Sequence, residues 1–451
     1  MPSSDRSVER HLATLDDLLA RARRAGADDA DAVLAEATAI GHGRRMGRTE
    51  RLERSEELDL GLRVFVGRRQ ACVATADTSG DALDELAERA AAMARTVPED
   101  PYCGLAEPDA LARDWPALDS DDPGEPATET LVERARACED SALAVEGVTN
   151  SEGADASWTR ARIALAATNG FRGGYAVSKH SVGGAVLAGE GTAMERDYAF
   201  HSAVYGEDLE DPALVGRRAG ERTVRRLNPR QPRTGSYPVV YHPRVANSLL
   251  RHLVGAVSGP AVARGTSFLG DRMGERILPP GTHVIDDPHR VRGLKSKPFD
   301  AEGLSTARRA IVDDGALASW LLSLSSARQL GLESTGHASR GTASPPSPSP
   351  TNLYLEPGTR APDELMADIR EGFYVTELMG QGVNPVTGDY SRGAAGFWIE
   401  DGELTHPVSE LTLAGNLLEM FHNLTPASDL EFRFGVDAPT VRVDGMTLAG
   451  S

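Results

Sequence analysis

The side chains that most often carry hydrolytic or metal chemistry are present in this 451-residue chain, but they are not gathered. Its eleven histidines are scattered, and no two stand four residues apart on a helical segment with a glutamate beside the first. A hydrolytic zinc needs about three protein ligands plus an open water position, so the missing pattern is informative. His283 and His289 flank Asp286 and Asp287, a set of nitrogen and oxygen donors, yet Asp-Asp-Pro after an apolar strand is ordinary turn chemistry and no third group converges on it. His252 has the setting of a partly exposed helix-face histidine. There is no G-x-S-x-G elbow, no Walker loop and no G-x-G-x-x-G after a strand, and Gly189-Glu190-Gly191 only turns the chain. Cys72, Cys103 and Cys138 are odd in number and lack CxxC spacing, so they are expected to be buried apolar residues rather than a disulfide framework.

The elements that would position such groups follow from periodicity. Leu12, Leu15, Leu18 and Leu19 recur at helical spacing between Val8 and Leu19, and an Ala- and Asp-rich segment then precedes the first strand signals. Leu58, Leu60, Leu62, Val64 and Val66 alternate, break at Gly67-Arg68-Arg69, and resume at Ala71, Val73 and Thr75, the pattern of a hairpin with one buried face. Thr78 with Asp81 resembles a capping box opening a helix through Met93. An acidic, turn-rich stretch from Pro116 to Pro126 marks a linker or long loop. Beyond it the sequence predicts a helix from Glu129 to Ala144, strands near Val145 to Glu152 and Ser157 to Thr168, and a hairpin turned by Asn169-Gly170. A helix from Pro212 to Leu227 ends at Asn228-Pro229. Tyr237 to Tyr241 starts a new strand, and Val245 to Val257 carries Ala246, Leu249, Leu250, Leu253 and Val254 on one helical stripe. The run Pro345 to Pro350 cannot join a central strand, because proline lacks the amide donor. The expected class is α+β: a mixed N-terminal domain over 1–115, a strand-rich meander region over 116–232 packed with the first, and a β-rich C-terminal domain over 233–451.

With 40% hydrophobic and 25% charged residues, core material is not scarce, and no apolar stretch approaches the roughly 18 residues of a membrane helix. The opening residues show no apolar h-region, so the expected location is cytoplasmic. Net charge is -19, and of 48 basic residues only Lys179, Lys295 and Lys297 are lysines. Acid spread throughout argues against a nucleic-acid partner, which would call for a clustered basic face.

One set of segments goes further. Arg264-Gly265-Thr266-Ser267-Phe268-Leu269, Asp286-Asp287-Pro288, Pro298-Phe299-Asp300-Ala301-Glu302-Gly303, Ser326-Ala327-Arg328 and Ser334-Thr335-Gly336 occur in that order. Thr351-Asn352-Leu353-Tyr354-Leu355, Leu378-Met379-Gly380, the run from Gly388 to Ile399, and Glu410-Leu411-Thr412-Leu413-Ala414-Gly415-Asn416 follow. With Arg63-Val64-Phe65-Val66-Gly67 and Thr75-Ala76-Asp77 near the start, the chain resembles the TldD/PmbA peptidase family, specifically its PmbA (TldE) branch.

In the TldD branch, the resemblance implies, a helix with His-Glu-x-x-x-His supplies two metal-binding histidines and a glutamate, and a cysteine near the C-terminus adds a ligand. The matching helix here places Arg251, His252 and Ala256 at those three positions, and no cysteine follows Cys138. Arginine has no lone pair for a cation and alanine has no donor atom, so no metal is expected in this chain. The resemblance therefore implies a heteromer in which a TldD-like partner holds zinc and this chain completes a peptidase for unstructured peptides, with a self-dimer also open. A peptide added as a strand to a sheet edge would suit broad specificity. Gly265, Thr266, Arg340, Asn352 and Gly380 are candidates to line a peptide channel or subunit interface, while Gly303, Gly393, Gly396 and Gly415 are expected to serve the backbone and Phe397 and Trp398 the core. A metal-free homodimer that binds peptides, or a regulatory protein of the gyrase-modulator kind, are the alternative readings.

Overall fold

The computed structural model describes residues 6–450, so the opening Met1 to Asp5 lie outside the described residues. Helix α1 (Arg6–Arg24) is followed by three strands, β1 (Asp29–Arg45), β2 (Arg48–Val66) and β3 (Arg69–Thr75), and by α2 (Gly80–Thr96). Then come α3 (Thr128–Leu143), β4 (Val148–Ala167), β5 (Arg172–Ala188), β6 (Glu195–Ala203) and α4 (Pro212–Arg225). The six strands form a single antiparallel sheet in the order β3-β2-β1-β4-β5-β6, so the first and middle regions share one sheet.

Alternation decides what each face does. Even-numbered residues of β1 and β2, such as Ala30, Ala32, Leu34, Leu60, Leu62 and Val64, are buried with Leu12, Leu15 and Leu18 of α1 and Leu83 and Leu86 of α2. On the other half, Ala154, Ala156, Trp158, Val182 and Val186 pack with Leu131, Ala135 and Cys138 of α3 and Val215 and Ala219 of α4. Odd-numbered Val33 and Leu165 face the opposite way and pack with Phe171 and Phe299, the latter from the C-terminal region.

Three sequence expectations change here. The Ala- and Asp-rich segment is the central strand β1, hydrogen-bonded along nearly its whole length to both β2 and β4. Alanine is a weak strand former, but small side chains at Ala30 and Ala32 let α1 lie close, and two-sided pairing overrides propensity. The two strands expected between Val145 and Thr168 are one strand, in which register shifts at Val148/Asn150 and Ser151/Gly153 absorb the apparent break as bulges. The Thr78 capping box does not form: α2 starts at Gly80 with Ser79 as N-cap and no side-chain cap. Asp77 accepts the Ser79 amide at 2.8 Å instead, a local turn that competes for the same backbone.

The C-terminal region opens with β7 (Gly235–Tyr241) and α5 (Pro243–Ala256), then α6 (Gly259–Ala263) and β8 (Val284–Asp286). Strands Glu403–Asn416, Asp389–Glu400, Glu371–Met379, β7 and Val441–Ala449 are neighbours in that order. Pairing of Thr412 to Ala414 with Thr447 to Ala449 closes them into a ring, to which Leu424–Pro426 adds. A five-stranded sheet around β8 flanks this ring, and the α5 stripe shares its core with residues of both sheets. The proline-rich run contributes only Ser347–Pro348, paired with Ala338–Ser339 in a two-stranded ladder. The class is α+β, and among the described residues no helix is long and apolar enough to cross a membrane.

Candidate functional site

Helix α5 is well specified. His242 at the N-cap accepts the Arg244 amide at 3.1 Å, Pro243 occupies the first turn, and Val245, Ala246, Leu249, Leu250, Leu253 and Ala256 are buried. The three positions that matter point to different environments. Arg251 is exposed, Ala256 is sealed in the core at 2% exposure, and His252 is half-buried edge-on to Tyr390, with ring centroids 5.9 Å apart. Burial, helped by the Arg392 charge, lowers the His252 pKa to about 4, so its ring is neutral at pH 7. Its Nε2 has no hydrogen-bond partner among the described residues. One free imidazole nitrogen, beside a guanidinium without a lone pair and a methyl group, is not a zinc donor set. Among the described residues no three of His, Cys, Asp and Glu are placed to hold a metal ion. A catalytic metal does not fit this helix.

The other histidine and aspartate candidates are engaged separately. His283 Nδ1 lies 2.9 Å from Asp313, and His289 Nε2 lies 2.9 Å from the Thr306 hydroxyl. Asp287 turns the chain by accepting the His289 amide at 3.0 Å. Asp286, read from sequence as part of that turn, is a fully buried hub: it accepts the Thr351 amide at 2.8 Å and hydroxyl at 2.5 Å, with His337 Nε2 3.1 Å away.

A buried ionic cluster joins the two halves. Arg63 Nε donates to Asp31 at 2.9 Å, and Arg340, 309 residues further along, pairs with the same carboxylate, all three side chains being at most 4% exposed. Burial works against the Asp31 charge, but the Arg63 and Arg340 guanidiniums hold its pKa below the usual carboxylate range. Beside them, burial raises Asp300 to about 6, against three backbone amides that favour its charged form. Burial and the neighbouring Asp300 raise Glu302 to about 7.

Arg340 also borders a cavity of about 380 Å³ between the odd-numbered face of the sheet and the segments Phe299 to Ala301 and Ser339 to Thr342. A second cavity of about 470 Å³ adjoins it, sharing Ile163, Tyr175, Lys297 and Ser339. Asn352 holds the segment that roofs this second cavity: its Oδ1 accepts the Lys295 amide at 3.0 Å and its Nδ2 donates to Ser296 at 2.9 Å. Gly265 and Gly380, with φ of 66° and 76°, occupy exposed turns, and Thr266 caps the end of α6 through the Ala261 carbonyl. The structure thus places Arg340 on the wall of one cavity, sets Asn352 behind the Lys295–Ser296 segment that lines the adjoining one without reaching either wall itself, and leaves Gly265, Thr266 and Gly380 off both. Sequence reasoning passed over Asp31 and His337 and named Asp300 and Glu302 only within a family segment, although charged residues inside an apolar strand pattern, as at Asp31 and Arg63, are a usable signal.

Family models for the PmbA/TldA metallopeptidase match domain 1 over residues 30–94, the central domain over 121–227 and the C-terminal domain over 234–450. The chain belongs to this family. It is 38% identical over 425 residues to the metalloprotease PmbA of Escherichia coli O157:H7, covering 94% of this chain and 92% of that protein. It is 34% identical to a PmbA homologue of Haemophilus influenzae, covering 95% and 94%. Two crystal structures share the PmbA/TldA fold along 97% of this chain: a candidate modulator of DNA gyrase from Bacteroides thetaiotaomicron (TM-score 0.89, 26% identity, 98% of that chain) and TldE from Thermococcus kodakarensis (TM-score 0.87, 19% identity, 100% of that chain).

Proposed function

We propose that this chain is the metal-free subunit of a two-chain metallopeptidase, acting in the cytoplasm with a TldD-like partner that holds zinc and cleaving unstructured peptide. The observation that carries this reading is a metallopeptidase-family chain whose α5 offers Arg251, His252 and Ala256 where metal donors and a glutamate would stand. A family fold without the donor set still supplies walls, and enclosing a partner's metal between two chains would admit only extended substrate and exclude bulk water. The resemblance to a candidate gyrase modulator favours a second reading, a metal-free homodimer or regulator without catalysis. The test is to purify the chain alone and with a TldD-like homologue, then measure bound zinc and cleavage of an unstructured peptide. Zinc and cleavage confined to the co-purified complex is the expected result. Stoichiometric zinc with cleavage by the chain alone would overturn the proposal, and a stable self-dimer inert with every such partner would favour the second reading.

A further inference from the structure

The chain has 48 basic residues, and its only three lysines, Lys179, Lys295 and Lys297, all line the 470 Å³ cavity. Lys179 projects from β5, cross-strand from Thr159, and the other two come from the segment tethered by Asn352. Many arginines of this protein are clamped by carboxylates, as in Arg63 with Asp31 or Arg244 with Asp197. Among the described residues none of the three lysines forms an ion pair, and Lys297 Nζ only donates to the Ser339 hydroxyl at 3.1 Å. The nearby carboxylates are committed elsewhere: Asp286 to His337 and Thr351, Asp300 to three backbone amides, and Asp437 to the amides of Arg433, Phe434 and Gly435. At the Arg340 end of the adjoining cavity, Nη2 is a buried donor with no partner among the described residues, on a side chain only 1% exposed.

The floor between these cations is largely apolar strand, and of the carboxylates that border the Arg340 cavity Asp59 accepts the Thr342 hydroxyl and Asp300 its three amides. Thr159, Ala161, Ile163 and Leu165 of β4 point to the groove, beside Val177 and Tyr175 on β5 and Ala35 and Val33 on β1. From Thr159 to Leu165 such a strand runs about 20 Å, the span of roughly six extended residues. Lysine suits exchange of ligand better than arginine: a compact ammonium meets a carboxylate from any direction, whereas a guanidinium fork makes a fixed bidentate clamp.

We propose that this groove binds an extended peptide and anchors a peptide carboxylate, from an acidic side chain or a free C-terminus, at Lys179, Lys295 and Lys297. The proposal deepens the peptidase reading by giving this subunit a substrate-holding role, but its test needs neither the partner nor zinc. Fluorescence anisotropy of the full chain alone would compare labelled eight-residue peptides carrying a free C-terminus, a C-terminal amide, and internal Glu or Gln. At least tenfold tighter binding of carboxylate-bearing peptides is expected, with the free-C-terminus and Glu arms showing which source is used. Lys179→Met, at an exposed position that folding tolerates, and Lys295→Met should each abolish most of that preference, while Lys179→Arg keeps it. Equal affinity for neutral and acidic peptides, or a preference untouched in both methionine variants, would overturn the proposal. Carboxylate-selective binding without cleavage in any co-purified complex would sink the peptidase reading alone; cleavage with no carboxylate preference would sink the groove alone.

Discussion

At the scale of single residues, the seam between the halves is governed by what burial does to charge. Asp31 is charged because two guanidiniums outweigh its desolvation, whereas Glu302, with Asp300 beside it, resists ionisation up to about 7. The sign of the consequence is fixed. A carboxyl whose folded pKa lies above its unfolded value costs nothing below about pH 4.5, where both states are protonated. It loses stability as pH climbs toward 7, because the unfolded state releases the proton first. For Glu302 that loss is on the order of 2 kcal/mol between pH 5 and 8. Glu302→Gln keeps an oxygen for the Leu324 amide, now accepted at 2.8 Å, and removes the titration. Urea unfolding at pH 5 and pH 8 should therefore show a smaller pH 8 deficit in the variant than in the parent. Comparing the difference between proteins cancels the opposite trend from His252, whose lowered pKa costs stability as pH falls below about 6.5. An unchanged slope would mean that Glu302 ionises normally.

Among the elements, α3 and α4 show how close packing sets residue choice. Gly216 and Gly220 lie one turn apart on α4, and a Cβ at Gly216 would overlap the Cys138 carbonyl of α3. Alanine gains about 1 kcal/mol over glycine in an exposed helix, but here backbone must move, at about 1–3 kcal/mol or more for an overpacked site. Gly216→Ala should destabilise by about 1–2 kcal/mol in chemical denaturation. Gly255→Ala on α5, where nothing lies within 4 Å, should be neutral or stabilising by up to about 1 kcal/mol. The same contrast explains what could be read in advance. The β2–β3 hairpin, the Asn169-Gly170 turn and the α5 stripe rest on local signals, alternation, a turn dipeptide and a 3.6-residue period, and they stand where expected. Strand β1 was illegible because its alanines answer to α1 and to β4, which pairs Asp31 with Ala167 far along the chain. That Arg251, His252 and Ala256 of α5 point to three different environments was not legible from residue types. Nor was the groove, since its walls come from β1, β4, β5 and the segments around Lys297, Arg340 and Pro350, and only the scarcity of lysine hinted at it.

For the molecule as a whole, that groove exists only while the two halves stay in register, and buried arginines span the boundary. Arg244 of α5 grips Asp197 of β6 with Nη1 and Nη2 at 2.6 and 2.9 Å and reaches the Thr376 carbonyl at 2.5 Å; its side chain is 7% exposed and that of Asp197 3%. Arg226 backs the same carboxylate at 3.6 Å, and Arg328 donates to the carbonyls of Tyr102, Gly104 and Leu105. Apolar contact is the competing explanation for cohesion, through the Phe171, Phe299 and Trp115 rings, whose centroids lie 4.9–6.5 Å apart. The two make different predictions. Removing one partner of a buried pair strands the other charge and costs about 3–5 kcal/mol, whereas an exposed pair is worth under about 1 kcal/mol. Arg244→Met should lower stability by about 3 kcal/mol, split the calorimetric transition into two, and resist rescue by salt, while Arg51→Gln, which breaks an exposed pair with Asp155, should leave a single unchanged transition. If both variants unfold alike, the halves are held by the aromatic cluster, and the arginines serve alignment rather than cohesion.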